Sequence, residues 1–340
     1  MMKKRNQKKE IILVYTGFSS FVKKDFTLLS QYYQVRKLHY KASKKLLRNI
    51  ASQITVLLKI ILRIPRVPFF FIWFADYHSF LPVFFSRLFR SRSVIVLGGY
   101  DVTYVPELKY GSFSNPIRRF CAAYSLRNAH YLLAVDPSLI TEARSRVKSI
   151  KGEYLYVPTS FDSKQWYRTK EKENLVLTVG ICDSFQRLKL KGIDIFIEIA
   201  NLLPQYNFLI IGLQENMVRK LELPPNLNSR DHVSFLELRD FYSISKVYAQ
   251  LSVREGLPSV VCEAMLCECI TVGSGVNGIP TAIGDFGYIL QDRNAQDGAK
   301  LIEKAMNSPA SMGENARNRI MTLFNTERRE KSILSILENY

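Results

Sequence analysis

Glu255 and Glu263 lie on either side of a Gly256-Leu257-Pro258 turn, in the run Arg254-Glu255-Gly256-Leu257-Pro258-Ser259-Val260-Val261-Cys262-Glu263-Ala264-Met265. The pattern predicts a strand ending at Ser252, a loop holding Gly256 and Pro258, and a helix from about Ser259. Proline suits a first helical turn because its missing N–H would have no partner there, and glycine lets the backbone approach a ligand closely. A helix entered in this way offers unpaired N–H groups to a phosphate. Glu263 sits just over one turn inside the helix, so both carboxylates can face one ligand. Sugar hydroxyls suit them, since each carboxylate accepts strong charge-assisted hydrogen bonds. Two glutamates alone would read as a solvated pair; beside this helix entry they point to a ligand that joins phosphate to sugar.

Other reactive residue types offer less. The five cysteines are scattered, and Cys262, Cys267 and Cys269 lack both C-x-x-C spacing and nearby histidines, which argues against zinc. Their odd number, without a secretory leader, fits reduced thiols in a cytosol. His39, His130 and His232 read as surface or packing residues. Gly273-Ser274-Gly275-Val276-Asn277-Gly278 is a literal G-x-G-x-x-G, but Ile279-Pro280 follows where a dinucleotide site would continue its helix. It reads as a loop. No Asp-x-Asp pair occurs, and no nucleic-acid-binding motif is present.

The elements that must position these residues alternate between apolar strand-like runs and helical segments, which implies parallel sheets covered by helices. Strands are expected at Ile11–Tyr15, Phe69–Phe74, Val94–Leu97, Tyr131–Val135 and Tyr154–Val157. The charged, non-periodic stretch 162–174 marks a boundary, giving domains 1–168 and 169–340. The second series has strands at 175–180, 207–212, 233–235, 248–252 and 270–272. Its helices are expected over 192–203, 239–246 and 258–268, with a helical region over 295–340. Two Rossmann-like halves across a cleft are the expected architecture, the terminal helix packing back on the first. Thr16-Gly17-Phe18-Ser19-Ser20 follows the first strand, where doubly wound folds place ligands, and Gly17 would let that loop approach a phosphate.

Charge divides the chain unevenly. Residues 1–170 carry 30 Lys and Arg against 9 Asp and Glu, whereas the remainder carries 18 against 21. A field of one sign suggests an anionic partner. Within 54–89, basic residues stand beside Ile54–Ile64 and the aromatic run Phe69–Phe74, with no uninterrupted apolar span long enough for a transmembrane helix. Two readings stay open: an interfacial surface on an anionic membrane, or a core strand plus a helix with a basic outer face. Nucleic acid is disfavoured.

The run Ser252 to Met265 resembles the E-x7-E motif of retaining glycosyltransferases of family 4, which have the GT-B fold. Leu175–Gly180, Lys191-Gly192-Ile193-Asp194, Phe208–Gly212 and Thr271 to Pro280 are similar to that family's segments in register. The resemblance implies that Glu255 contacts the donor sugar and Glu263 the ribose. Backbone amides at Gly256, Leu257, Ser259 and Val260 would surround sugar and pyrophosphate. Lys191 and Arg187 would hold the diphosphate, which gains charge as the glycosidic bond breaks. The family arginine usually follows the strand's glycine directly, whereas here Ile181 to Gln186 intervene, and Lys189 is an alternative. Gly98-Gly99-Tyr100-Asp101-Val102 is similar to a family loop and would place Asp101 at the acceptor. Many relatives have a histidine in that region and this loop has none, which leaves open the residue that faces the reacting hydroxyl; His78 is one candidate substitute.

The function implied is a metal-independent retaining transfer from a UDP- or GDP-sugar to a glycan or lipid-linked acceptor in cell-surface polysaccharide biosynthesis. The donor is a co-substrate and no other cofactor is expected. The expected location is cytoplasmic, including peripherally on the inner face of the membrane. An epimerase or hydrolase on the same fold would need further acids or histidines, and a non-catalytic partner would not need Glu255, Glu263 and Lys191 intact.

Overall fold

The computed structural model describes residues 8–43, 46–62 and 69–338. The chain divides into two compact units, residues 1–158 with 332–340, and residues 159–331.

Unit 1 runs β1 (Glu10–Tyr15), α1 (Ser20–Tyr32), β2 (Gln34–His39), α2 (Leu46–Ile61), β3 (Phe69–Trp73), α3 (Tyr77–Leu88), β4 (Arg92–Leu97), α4 (Pro116–Asn128), β5 (Tyr131–Ala134), α5 (Pro137–Arg146) and β6 (Glu153–Tyr156). Its sheet is parallel, in the order β2-β1-β3-β4-β5-β6. The strand order reverses between β1 and β3, and the crevice at such a switch is where open α/β sheets take ligands. Every residue of β3 is buried, as expected of a strand covered on both faces. The aromatic run at 69–73 is therefore core, and an interfacial role does not fall on it; residues 63–68 of the same stretch lie outside the described residues.

Unit 2 runs β7 (Glu173–Cys182), α6 (Phe185–Lys191), α7 (Ile193–Leu202), β8 (Asn207–Leu213), α8 (Glu215–Val218), β9 (Leu227–Arg230), α9 (Phe235–Ile244), β10 (Ser245–Gln250), α10 (Ser259–Leu266), β11 (Ile270–Ser274), α11 (Gly278–Ile283), β12 (Gly287–Leu290), α12 (Ala295–Met306) and α13 (Ala310–Leu323). Helix α14 (Thr326–Glu338) begins in unit 2 and ends in unit 1. The order β12-β11-β10-β7-β8-β9 is again parallel, with its switch between β7 and β10. Val176, Ile210, Val247 and Val272 from its inner strands meet Phe196, Ile199 and Ile302 from α7 and α12 in one core.

The expected strand at 233–235 is not formed. Ser234 caps α9: its hydroxyl accepts from the Glu237 amide, and Glu237 accepts in return from the Ser234 amide at 2.8 Å. That capping box starts a helix where a short apolar run suggested a strand, and the strand of this region is β9. Strands β2 and β12 and, in unit 2, the short helices α6, α8 and α11 had no counterpart in the expected series.

Candidate functional site

Glu255 stands just beyond the C-terminal end of β10, beside the switch in unit 2. Its Oε1 accepts from Lys191 Nζ at 2.7 Å, from Ser252 Oγ at 2.8 Å and from Gln250 Nε2 at 3.2 Å. The rack continues inward, with Gln250 Nε2 donating to Ser252 Oγ at 2.7 Å and Tyr248 OH donating to Gln250 Oε1 at 2.6 Å. Tyr248, Gln250 and Ser252 alternate along the chain and so share one side of the extended backbone. Tyr248 is fully buried, and burial followed by the Glu255 charge pushes its phenol well above the usual range. It therefore stays protonated and donates.

Lys191 reaches Glu255 because α6 and α7 meet at Gly192. Gly192 has φ +72, and a Cβ there would stand 1.9 Å from the Leu251 carbonyl oxygen. Only glycine lets this junction press against the chain leaving β10. The Val253 amide closes the contact by donating to the Leu190 carbonyl at 2.9 Å. The α6–α7 turn is thus fastened to the loop that carries Glu255. Arg187 lies one turn before Lys191 on α6, where its guanidinium pairs with Asp183 at 3.3 Å. Lys189 is exposed.

Pro258 is the N-cap of α10 and supplies no side-chain cap. The first helical acceptor bond is Val261 N–H to the Pro258 carbonyl at 3.2 Å, so the amides of Ser259 and Val260 precede the hydrogen-bonded turns. Glu263 is buried within α10. The G-x-G-x-x-G segment is partly helical: Ser274 ends β11 and Gly278 opens α11. It is tied to the Glu255 loop, since Gly278 N–H donates to the Gly256 carbonyl at 3.0 Å and Ser274 Oγ to the Ser252 carbonyl at 2.6 Å. Among the described residues, no group of three or more His, Cys, Asp or Glu side chains is placed to hold a metal ion.

In unit 1, Gly17 follows β1 at the switch and is exposed, with open space where a Cβ would stand. Asp101 does not face solvent. It is fully buried, accepting from the Gly99 amide at 2.9 Å and the Ala75 amide at 3.4 Å, so it ties the loops after β3 and β4. Burial raises its carboxyl to about 7 against the pull of those amides. His78 is buried too: Nε2 meets the Trp73 carbonyl at 2.6 Å, and burial lowers its pKa. Nearby, the Arg118 guanidinium pairs with Asp76 at 3.5 Å, hydrogen-bonds the Tyr100 hydroxyl and lies against the rings of Tyr77 and Tyr100.

Residues 161–319, nearly the whole of unit 2, match the model of the family described as glycosyl transferases group 1. That segment, just under half of the chain, is similar to this family. N-acetyl-alpha-D-glucosaminyl L-malate synthase of Bacillus anthracis is 27% identical over 70% of this chain and 65% of its own. Alpha-galactosylglucosyldiacylglycerol synthase of Streptococcus pneumoniae is 26% identical over 55% of this chain and 56% of its own. The chain thus spans less than two thirds of the length of these curated relatives. The fold match is wider. Sucrose-phosphate synthase from Thermosynechococcus elongatus superposes with a TM-score of 0.79 at 17% identity, covering 97% of this chain and 98% of that one. Anabaena HepE in complex with UDP and glucose gives 0.75 at 15%, covering 98% and 100%. The fold is that of GT-B glycosyltransferases.

Within unit 2, Gln250 and Ser252 were not among the site residues expected from sequence, although polar residues alternating in an otherwise apolar buried strand are a legible signal. The Asp76, Tyr77, Tyr100 and Arg118 cluster was also missed. It is gathered from three separate loops and helix starts, so no local spacing announces it.

Proposed function

We propose that the chain transfers a sugar from a nucleotide-sugar donor, UDP- or GDP-linked, to a glycan or lipid-linked acceptor, with retention at the anomeric carbon. The observation that carries this reading is the Lys191–Glu255 pair, held on the Gln250–Ser252 rack at the switch of unit 2 and fastened through Gly192. A diphosphate entering there competes with Glu255 for Lys191. Once displaced, the Glu255 carboxylate is released to accept from sugar hydroxyls, while Ser252 and Gln250 keep it aimed. The amides of Ser259 and Val260, with Gly256 and Leu257 in the entering loop, suit the pyrophosphate and sugar, and Glu263 suits the ribose.

In this reading Lys191 stabilises the charge that grows on the leaving diphosphate, a task electrostatics performs well in a partly dehydrated site. Arg187 joins it by leaving Asp183. The leaving phosphate takes the acceptor proton, so no dedicated base, metal ion or further cofactor is assigned. Donor binding by HepE, whose structures hold UDP or UDP-glucose, supports a UDP-sugar. On the acceptor side, the Arg118–Tyr77–Tyr100 cluster at the strand ends of unit 1 replaces the buried Asp101 as the candidate, and Gly17 stays a candidate for a donor phosphate. A lipid-linked acceptor places the work at an anionic leaflet, on the cytoplasmic side where nucleotide sugars are found.

Calorimetric titration with UDP-, GDP- and ADP-sugars tests the donor site. One donor should bind, and Lys191→Ala and Glu263→Ala should each weaken it by roughly tenfold or more, as loss of a charge-assisted contact does. Unaltered binding in both variants overturns the assignment.

A further inference from the structure

The outward side of α2 is apolar. Leu47, Ile50, Ile54, Leu58 and Ile61 recur at three- and four-residue spacing, the period of one helix face, while Val56 and Ile60 on the other side are buried. Leu47, Ile54 and Leu58 are 80%, 53% and 57% exposed, values that place the stripe in solvent rather than in the core. Right-handed crossovers put α2, α3 and α4 on the same side of the unit 1 sheet, and α2 packs on α3 as α3 does on α4. The neighbours extend the stripe with exposed Phe84, Leu88 and Phe120.

Charge identifies the occupant. The three helices contain six Lys and Arg and no Asp or Glu; Arg118 is held by Asp76 and Arg87 by the carbonyls of Asn128 and Ala129, while Arg119 on α4 is exposed. Arg48 and Lys59 are exposed on α2 itself. Lys59 also borders a groove of about 330 Å³ that it lines with Arg36 and Lys37. A second copy of this chain would bring like charge against like, which costs affinity. An anionic bilayer meets both halves of the pattern, with acyl chains for the aliphatics and head groups for the cations. At 16 residues α2 is about 24 Å long, and among the described residues no helix is long and apolar enough to cross a membrane.

We infer that the α2–α3–α4 face docks this chain on an anionic membrane surface, with α2 lying in the plane of the interface. For its purpose this rests on the lipid-linked acceptor reading; the contact itself stands on the exposed face. Co-sedimentation tests it, using vesicles of phosphatidylcholine alone and vesicles in which one third is phosphatidylglycerol. The chain should pellet with the anionic vesicles only. Ile54→Glu/Leu58→Glu and Arg48→Glu/Lys59→Glu should each lower partitioning at least about tenfold. Leu202→Glu, at an exposed leucine of unit 2, should leave it unchanged. Donor titration by calorimetry on the same variants keeps the two readings apart: retained donor binding with lost vesicle binding supports docking. Equal binding to both vesicles, or full binding by the α2 variants, overturns it whether or not a donor binds. Light scattering that shows a dimer dissociated by Ile54→Glu/Leu58→Glu, without vesicle binding, also overturns it.

Discussion

Three donors converge on one carboxylate oxygen of Glu255, and that arrangement sets what its loss should do. On the proposed donor reading, Glu255→Ala leaves Lys191 without its partner and dismantles the rack, but it leaves the cation for the diphosphate. Turnover should therefore fall by roughly 10- to 100-fold while donor affinity changes less, the range expected when a charged hydrogen bond is removed. Steady-state kinetics beside calorimetry will show the split; equal losses in both would mean that Glu255 only binds. Asp101 permits a second test at this scale. Its pKa is raised from 3.8 to about 7 by burial. The proton-bound form is thus favoured by folding, and its contribution is complete below pH ~4 and lost as pH rises to about 7. His130 acts in the opposite sense: burial, then Arg87 and Arg92, lower it to about 4, so its contribution is lost as pH falls from 6.5. Comparison of the wild type with Asp101→Asn isolates the first effect. The stability advantage of the wild type should shrink by roughly 2–4 kcal/mol between pH 4 and pH 8 in denaturant titrations. A difference that does not vary with pH would mean that the carboxyl stays ionised.

Among the elements, what could be read from sequence followed burial. The inner strands β1, β3, β4, β5, β7, β8 and β11 announce themselves because two-sided burial demands continuous apolar runs. The strands that were missed or misplaced, β2, β9 and β12, all lie at sheet edges. β2 reads Gln-Val-Arg-Lys-Leu-His with only Leu38 buried, so nothing apolar marks it. The Lys191–Gly192 pair was visible through resemblance, whereas its physical reason, the approach to Leu251, required the fold. That reason makes Gly192→Ala informative. A left-handed φ of +72 and a Cβ 1.9 Å from backbone cannot both be accommodated without moving the α6–α7 junction. Unit 2 should lose about 1–3 kcal/mol, and donor binding should weaken beyond what stability explains, because Lys191 is displaced from Glu255. A thermal melt together with calorimetry measures both; a variant that melts and binds as the wild type does would remove Gly192 from the site's support.

Across the whole molecule, charge and chemistry are assigned to different units: the basic excess and the exposed helical face to unit 1, the polar rack and helix entry to unit 2. The sequence showed this division in its uneven charge, but it did not separate the buried aromatic strand β3 from the exposed face of α2, since both are simply apolar runs beside cations. Only the direction of each side chain tells them apart. The division predicts where a nucleotide should act. If the donor site belongs to unit 2, UDP at about 100 times its dissociation constant should stabilise the folded state by about 2.7 kcal/mol. Hydrogen exchange should then slow in the peptides spanning the end of β7, α6 and the loop into α10. Gly192→Ala should reduce that protection, whereas Asp101→Asn should leave it in place. If UDP instead slowed exchange around the Gly17 loop and α3 alone, the diphosphate would belong to unit 1, and the Lys191–Glu255 pair would be a structural ion pair rather than a donor site.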